Sequence, residues 1–405
     1  MRILYFHQHF STPTGSSGTR SYEFAQALIA RGHKVTMVCG RSDRSPLEIP
    51  LDAKAGWYRG NIDGIDVIAL PLDYSNSHGI ARRLWTFLLF GWKSVMIALR
   101  HEYDLIFATS TPLTAAMPGI AASWLRRKPF VFEVRDLWPE LPRAMGMKNP
   151  LLLCGMWVLE GLAYRSSVAC VGLAPGIVEG IARRSPKNHP INLIPNGCDL
   201  EIFQPLLRTK IAIPGIDPDD FVAGFTGAHG KANGLDAVLD AAAILKRRGN
   251  SRIKILLVGE GSEKSRLVAR AQHEGLENVI FHKAMPKREL AKVTASLGCG
   301  LMILDNIPAF YRGTSPNKFF DYISAGIPVV NNYPGWLADM ILQKQCGLVA
   351  DAGSAESLAD ALQSLANAPQ KCSQMGFKAR QLAEEFFARE NLASKFVYVI
   401  ESIKR

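Results

Sequence analysis

The chain has 405 residues, 48% of them hydrophobic and 20% charged, with 47 Lys and Arg against 36 Asp and Glu. This length exceeds what a single core usually supports, so two domains are expected, and the composition excludes a disordered or low-complexity chain. The formal net charge of +11 favours anionic partners (nucleotides, phosphorylated lipids, membrane surface or nucleic acid) without choosing among them.

"RILYFH" at the N-terminus reads as an apolar strand, "STPTGSSGTR" as a turn-rich loop, "SYEFAQALIARGH" as an amphipathic helix ending at Gly32, and "KVTMVCG" as a second strand. Strand, glycine-rich loop, helix, strand is a βαβ unit and implies a parallel sheet. Further strands are predicted at "DVIALP", "DLIFATS", "PFVFEV" and "SVACVGLA", with helical patterns between them. The segment "ARRLWTFLLFGWKSVMIALRHEY", 81–103, is strongly apolar with arginines at both ends. It fits a helix packed on the first sheet and equally a segment lying in a membrane interface. Its apolar run, 84–99, carries Lys93 and is shorter than the ~20 residues of a spanning helix.

A second alternating series begins near residue 221: "FVAGFTGA", "GLDAVLDAAAILKRRG", "IKILLVGEG", "EKSRLVARAQHEG", "NVIFHKA", "KRELAKVTASL", "GCGLMIL", "GTSPNKFFDYISAGIPVV" and "QCGLVA". Two doubly wound halves are therefore expected, joined around 198–220. The predicted domains are 1–198 and 199–384, with "ARQLAEEFFARENLASKFVYVIESIKR" read as one long helix whose part 385–405 packs back towards the first half. Seven scattered cysteines, without a CxxC pair or metal-ligand spacing, fit buried thiols in a reducing compartment. The opening residues lack the order of a signal peptide, so a cytoplasmic protein is expected, with peripheral attachment at the inner membrane face as the alternative.

In open parallel sheets ligands bind beyond the carboxyl ends of strands, so the loops there are the candidates. Gly15 and Gly18 open the first helix and permit tight turns beside its free N–H groups. Arg135 and Asp136 follow the strand "PFVFEV", with Trp138 beside them as a candidate acceptor wall. Asn196 and Gly197 read as a turn anchored by Phe203. Gly227, His229 and Lys231 lie in another strand–glycine–helix loop, where a lysine can neutralise a diphosphate oxygen. Glu260 and Ser262 follow a further strand and can line a base or ribose pocket. In "GTSPNKFFDYISAG", Ser315 suits an N-cap, Pro316 the first helical position and Gly326 the stop. Lys318 and Asp321 are three apart and share a face, which suits a phosphate and ribose hydroxyls; an ordinary i,i+3 salt bridge is the bland alternative.

The ordered set "PNGCD", "FTGAHGKANGLD", "LLVGEGSE", "NVIFHKAMPKREL" and "SPNKFFDYISAGIPVV" resembles the retaining glycosyltransferases of family 4, across nearly the whole chain. "MRILYFHQHFSTPTGSSGTRSYEFA" and "RDLWPE" are similar to the branch that builds bacterial O-antigen and capsule repeats, which includes L-fucosaminyltransferases. The resemblance implies an α/β GT-B fold, two doubly wound Rossmann-like domains facing across a cleft. It implies a nucleotide-diphosphate sugar, UDP-linked, on the C-terminal domain and a polyprenyl-diphosphate-linked or oligosaccharide acceptor on the N-terminal one. Transfer would retain anomeric configuration, with neither metal nor cofactor. Against the family pattern, the usual Arg and Lys positions of the diphosphate loop hold Ala228 and Asn233, and Lys231 is the available substitute. Asp321 stands for the second acid of the family's pair. Gly313 stands where the first is expected, so the backbone of Gly313, Thr314 and Ser315 is the remaining donor-sugar contact. Lys231, Lys318 and helix N-termini would stabilise the leaving diphosphate, and Asp136 would position the acceptor hydroxyl.

Competing readings are a non-catalytic nucleotide-sugar-binding protein, a sugar-nucleotide epimerase and a nucleic-acid-binding protein. The epimerase lacks a convincing acid/base set. Nucleic acid is disfavoured because the basic residues are dispersed, without interleaved aromatics.

Overall fold

The computed structural model describes residues 1–15, 18–42, 47–52, 56–74, 79–205 and 213–403. Residues 16–17 of the first glycine-rich loop, 206–212 of the expected linker and 404–405 of the last expected helix lie outside them. The chain divides into two compact units: Met1–Pro195 with Glu390–Arg405, and Asn196–Arg389.

The first unit contains β1 (Arg2–Phe6), β2 (Lys34–Ser42), β3 (Leu51–Asp52), β4 (Trp57–Ile62), β5 (Ile65–Tyr74), β6 (Leu105–Thr109), β7 (Phe130–Val134), β8 (Ala169–Gly172) and β9 (Ile191–Leu193). They form one sheet in the order β3-β4-β5-β2-β1-β6-β7-β8-β9. It is parallel except at β3–β4 and β4–β5, an antiparallel addition that the sequence pattern does not announce. The central strands β1, β6, β7 and β8 are apolar and almost wholly buried, as strands covered on both faces must be. Ile3, Tyr5, Leu105, Phe107 and Val131 share one core face with Phe24 and Leu28 of helix Arg20–Ala30 and with Phe396 of helix Arg389–Glu401. Phe396 stacks on Phe24 at 4.2 Å and meets Phe107 edge-on at 4.8 Å. On the opposite face Phe132 meets Tyr164 of helix Pro150–Ser166, and Phe130 lies directly over Gly119 of helix Met117–Arg126. Helix Ile80–Arg100 packs beside Met117–Arg126 in that layer. β1 leads to one face and β6 to the other, so the loops after them diverge and leave a crevice at their carboxyl ends.

The second unit contains β10 (Phe221–Thr226), β11 (Ile253–Val258), β12 (Val279–His282), β13 (Cys299–Met302), β14 (Val329–Asn331) and β15 (Gly347–Val349) in the order β12-β11-β10-β13-β14-β15, all parallel. Helices Asp236–Arg247 and Ala355–Ala366 close one core face with Phe225, Ile255 and Leu301. Helix Asn317–Ser324 covers the other, and Thr226 N donates to the Tyr322 hydroxyl at 2.9 Å. Here β10 and β13 flank the crevice.

Some local expectations need correction. The helical segment expected over 379–405 is two helices, Pro369–Phe386 and Arg389–Glu401. Between them the backbone pairs with Cys198, whose N–H donates to the Phe387 carbonyl at 2.7 Å and whose carbonyl accepts from Arg389 N at 3.1 Å. The chain at Asn196–Gly197 forms no turn, and the turn lies at 199–203, where Phe203 N donates to the Asp199 carbonyl at 2.9 Å. Ser315 does not cap its helix. Pro316 is the N-cap, with extended backbone, and the Ser315 hydroxyl instead accepts from Asn196 N at 3.1 Å. The stop at Gly326 is as expected: φ is +67°, and Ile327 N reaches back to the Tyr322 carbonyl at 3.2 Å.

Candidate active site

At the crevice of the second unit, β10 runs into Gly227–Gly234 and β13 into the segment that ends at helix Asn317–Ser324. The adjoining loop after β11 lies against the first of these so closely that a Cβ on Gly259 would stand 1.8 Å from the Gly227 carbonyl oxygen. Only glycine permits that approach. His229 N donates to the Glu260 carbonyl and Glu263 N to the His229 carbonyl, both at 2.9 Å, so backbone knits the two loops together. The His229 ring is fully buried near Phe225 and Phe281, and neither of its nitrogens has a partner among the described residues. Burial, assisted by Lys264, lowers its pKa to about 4, so it is neutral at pH 7. His229 therefore serves the loop from behind.

Lys318 comes from the first turn of its helix and points across the crevice. Its Nζ lies 3.8 Å from the Phe225 ring centroid and donates to Asn233 Oδ1 at 3.0 Å. No carboxylate pairs with it, and burial lowers its pKa to about 7. Gly313 ends a turn, and Thr314 and Ser315 follow as irregular backbone leading into the helix. Their positions are fixed from both sides. Trp336 Nε1 donates to the Thr314 carbonyl at 2.7 Å, and Asn196 Nδ2 donates to the Ser315 carbonyl at 2.6 Å.

Asp321 does not share its surroundings with Lys318, and no ion pair joins them. Burial raises its pKa to about 6, against the pull of Lys287 and Arg389, while Asp199 adds to the rise. Those two cations are engaged with Asp199, at 2.7 and 3.3 Å respectively. The Asp321 carboxylate makes no hydrogen bond among the described residues and so retains its accepting capacity. Lys231 is exposed on a short turn that lines a cavity of about 320 Å³ with Asp236, Asp305, Asn306 and Leu304. Glu260 is exposed and bound to Lys264 at 2.8 Å, which holds its carboxyl below the usual range.

In the first unit, Arg135 and Asp136 follow β7. Asp136 is half-buried and accepts from the Thr111 hydroxyl at 3.1 Å, and burial raises its pKa. Thr111 has a φ of +88°, a costly conformation for a β-branched residue. Gly15 N closes a turn on the Thr12 carbonyl at 3.0 Å, and Gly18 is exposed before helix Arg20–Ala30. The ordering side chain of that loop is Arg20. Its guanidinium is buried against Glu133 and donates to the carbonyls of Ile194 and Pro195 at 2.7 and 2.6 Å. Arg20, Thr111, Asn233 and Trp336 escape sequence reasoning, because each acts on a partner far away in the chain. Among the described residues no group of three or more His, Cys, Asp and Glu side chains is arranged to hold a metal ion.

Residues 15–197 match the glycosyl transferase 4-like domain, and residues 208–382 match the glycosyl transferases group 1 family. The D-inositol 3-phosphate glycosyltransferase of Paenarthrobacter aurescens is 29% identical over 201 residues, 48% of this chain and 48% of that protein. The chain thus matches about half the length of this relative. WcaI of Escherichia coli, assigned to colanic acid biosynthesis, is 21% identical over 346 residues, 80% of this chain and 82% of its own. Among solved structures, sucrose-phosphate synthase from Thermosynechococcus elongatus superposes with a TM-score of 0.75 at 18% identity, covering 99% and 98% of the two chains. HepE of Anabaena, in complex with UDP and glucose, superposes at 0.73 with 18% identity over 100% of both. These likenesses are to the GT-B fold. The chain belongs to the glycosyltransferases of that fold, a 4-like domain at 15–197 followed by a group 1 domain at 208–382.

Proposed function

We propose that the protein transfers a sugar from a UDP-linked donor, an N-acetylhexosamine such as N-acetyl-L-fucosamine, to a lipid-linked or growing surface-polysaccharide acceptor. Transfer retains anomeric configuration and requires no metal. The observation that carries this reading is Lys318, a half-buried cation with no carboxylate partner among the described residues, beside the backbone of 313–315 held by Trp336 and Asn196. Such an arrangement suits a leaving diphosphate, whose developing charge needs preorganised donors. The bound UDP of HepE supports the choice of base, and WcaI supports a polysaccharide product.

In this reading the free carboxylate of Asp321 accepts from ribose hydroxyls. Lys231, on its exposed turn, gives a second cation to the donor loop. Glycine at 313 removes a carboxylate from the donor-sugar contact and leaves backbone N–H groups to make it. Asp136, oriented by Thr111, positions the acceptor hydroxyl; Asp136→Asn would lower kcat while leaving UDP affinity intact. The same glycine favours a second reading, a protein that binds the nucleotide sugar without turning it over.

Attachment to an anionic membrane surface is part of the proposal. No helix among the described residues is long and apolar enough to cross a membrane. Yet helix Ile80–Arg100 exposes Trp85, Leu88 and Trp92 on one stripe, with Arg82 and Arg100 exposed towards its ends. Tryptophan beside arginine suits the lipid headgroup region.

The test is calorimetric titration with UDP, GDP and ADP, in EDTA and then in magnesium. Micromolar UDP binding in EDTA is expected, and failure of all three nucleotides to bind folded protein would remove the basis of the proposal. Turnover of a UDP-sugar panel on lipid-linked acceptors, with product anomers assigned by NMR, separates the two readings.

A further inference from the structure

The crevice of the first unit holds a basic cluster that the proposed sugar chemistry leaves unused. β1 runs directly into His7, Gln8 and His9. His7 and Gln8 are each 2% exposed, and His7 Nδ1 and both polar atoms of the Gln8 amide lack partners among the described residues. The His9 ring lies 4.6 Å from Tyr74, at the end of β5, and 6.3 Å from Phe87. Tyr74 and Phe87 stack at 5.5 Å, and the Arg83 guanidinium lies 5.7 Å from the Tyr74 ring. Arg83 Nε is buried without a partner among the described residues. From β7, Arg135 comes within electrostatic reach of both histidines, and Arg83 of His9; after burial, these cations are what lower the imidazole pKa values.

Two features make this cluster unlike an ordinary charged surface. Neither Arg83 nor Arg135 forms an ion pair with any described residue. Of the nearby carboxylates, Glu133 is bound to Arg20 and Thr109, and Asp136 accepts from Thr111 while feeling the charge of Arg135 without pairing to it. Asp136 lies within electrostatic reach of Arg135, but both guanidinium groups act on the buried His9 without an ion pair to any described residue, and an arriving anion would supply the direct partner they lack. The planar forks of two arginines also match the oxygens of a phosphate. The location is the crossover of a doubly wound sheet, where such folds take their ligands.

We infer that His7, His9, Arg83 and Arg135 form a binding site for a phosphate or diphosphate group carried by the acceptor. The inference rests on the transferase reading and adds the charge of the acceptor to it. Arg83 belongs to the helix that exposes Trp85, Leu88 and Trp92, so a diphosphate bound at the cluster can continue into a lipid chain at that surface. The same phosphate chemistry is offered by a soluble sugar phosphate.

The test uses the full chain. Inorganic pyrophosphate is titrated into protein saturated with UDP, which occupies the donor crevice. A second binding event is expected, weakened about 10–100-fold in Arg83→Ala and in Arg135→Ala, the loss that follows from removing a charge-assisted contact. The Kd for UDP should stay within about twofold of wild type, and Arg83→Lys, which keeps the charge but loses the planar fork, should restore only part of the loss. No second event while UDP binds would overturn the inference and leave the proposed function standing; failure of UDP itself to bind would overturn both. KM is then measured for a prenyl-diphosphate-linked sugar, a sugar phosphate and the free sugar. A KM raised by Arg83→Ala for the first alone identifies the lipid-linked source, and one raised for the first two identifies the phosphate whatever its carrier. An equal rise for all three, or no rise, would sink the site.

Discussion

Each unit has a crevice where its chain reverses across the sheet, after β1 and β6 in the first and after β10 and β13 in the second. The second crevice is built mostly of backbone: glycine loops in contact, the segment 313–315 held at its carbonyls, and one lysine on a short helix. The first is built of side chains, two histidines and two arginines drawn from β1, helix Ile80–Arg100 and the end of β7. A backbone site has its shape fixed by turns and tolerates little change at its glycines. A side-chain site has its charge fixed by residues that meet only once the sheet is assembled.

Substitutions that act on one crevice and spare the other sharpen this contrast. The largest effect is expected from Glu133→Ala. It leaves the Arg20 guanidinium, 7% exposed, without its counter-ion. Removing one partner of such a buried pair costs about 3–5 kcal/mol. Urea unfolding should show the first unit melting earlier with the Kd for UDP unchanged; a loss under ~1 kcal/mol would mean that Arg20 is held by carbonyls alone. Next comes Lys318→Ala, expected to weaken UDP about 10–100-fold. It should not lower the melting temperature, because it removes a half-buried cation without breaking an ion pair. A large loss of stability with UDP affinity intact would make Lys318 a structural residue.

The pH dependence follows in size. The Lys318 pKa in the free protein is about 7. Diphosphate binding uses the protonated form, so UDP affinity is full below that pH. Above it, affinity falls by up to about tenfold per pH unit, until the pKa in the complex is reached. Its folded pKa is depressed for a lysine, so the unliganded protein gains stability as pH rises from about 7 towards the unfolded value. A pH-independent Kd between 6.5 and 9 would contradict the placement of charge. The smallest effect is expected of Trp336→Phe, which removes the bond to the Thr314 carbonyl. It should cost about 0.5–1.5 kcal/mol in UDP binding or in local protection from hydrogen exchange.

What could be read from the sequence divides along the same line. The second crevice announced itself, because glycines after apolar strands and a proline-led helix with a polar first turn are local signals. "GTSPNKFFDYISAG" revealed Lys318 in this way, although it misassigned Ser315, whose partner Asn196 is more than a hundred residues distant. Of the first crevice, the loop glycines Gly15 and Gly18 and the strand-end pair Arg135 and Asp136 were legible, but His7, His9 and Arg83 were not. "FHQH" reads as the frayed end of a strand, and Arg83 as one end of an amphipathic helix. Nothing local says that both meet Arg135. The β3–β4 addition was equally silent, since "WYRGNI" mixes aromatic, charged and glycine residues without clean alternation. Lys318 and Asp321, three apart on one helix, do not form the i,i+3 salt bridge that their spacing allows: Lys318 reaches Asn233, while Asp321 lies among the charges of Lys287, Arg389 and Asp199.

The composition of the first unit from two stretches of chain bears on the order in which the protein can be made. Its core includes Leu392, Phe396, Val397 and Ile400, with Phe396 set between Phe24 and Phe107. During synthesis, Met1–Pro195 leaves the ribosome first and yet lacks this part of its interior until some two hundred further residues have been added. Through that interval the apolar faces around Phe24 and Phe107 are uncovered, and the emerging chain depends on the second unit folding promptly or on a chaperone shielding them. A nonsense mutation that removed only the final helix would therefore damage the oldest part of the chain, and its product would be recovered as aggregate.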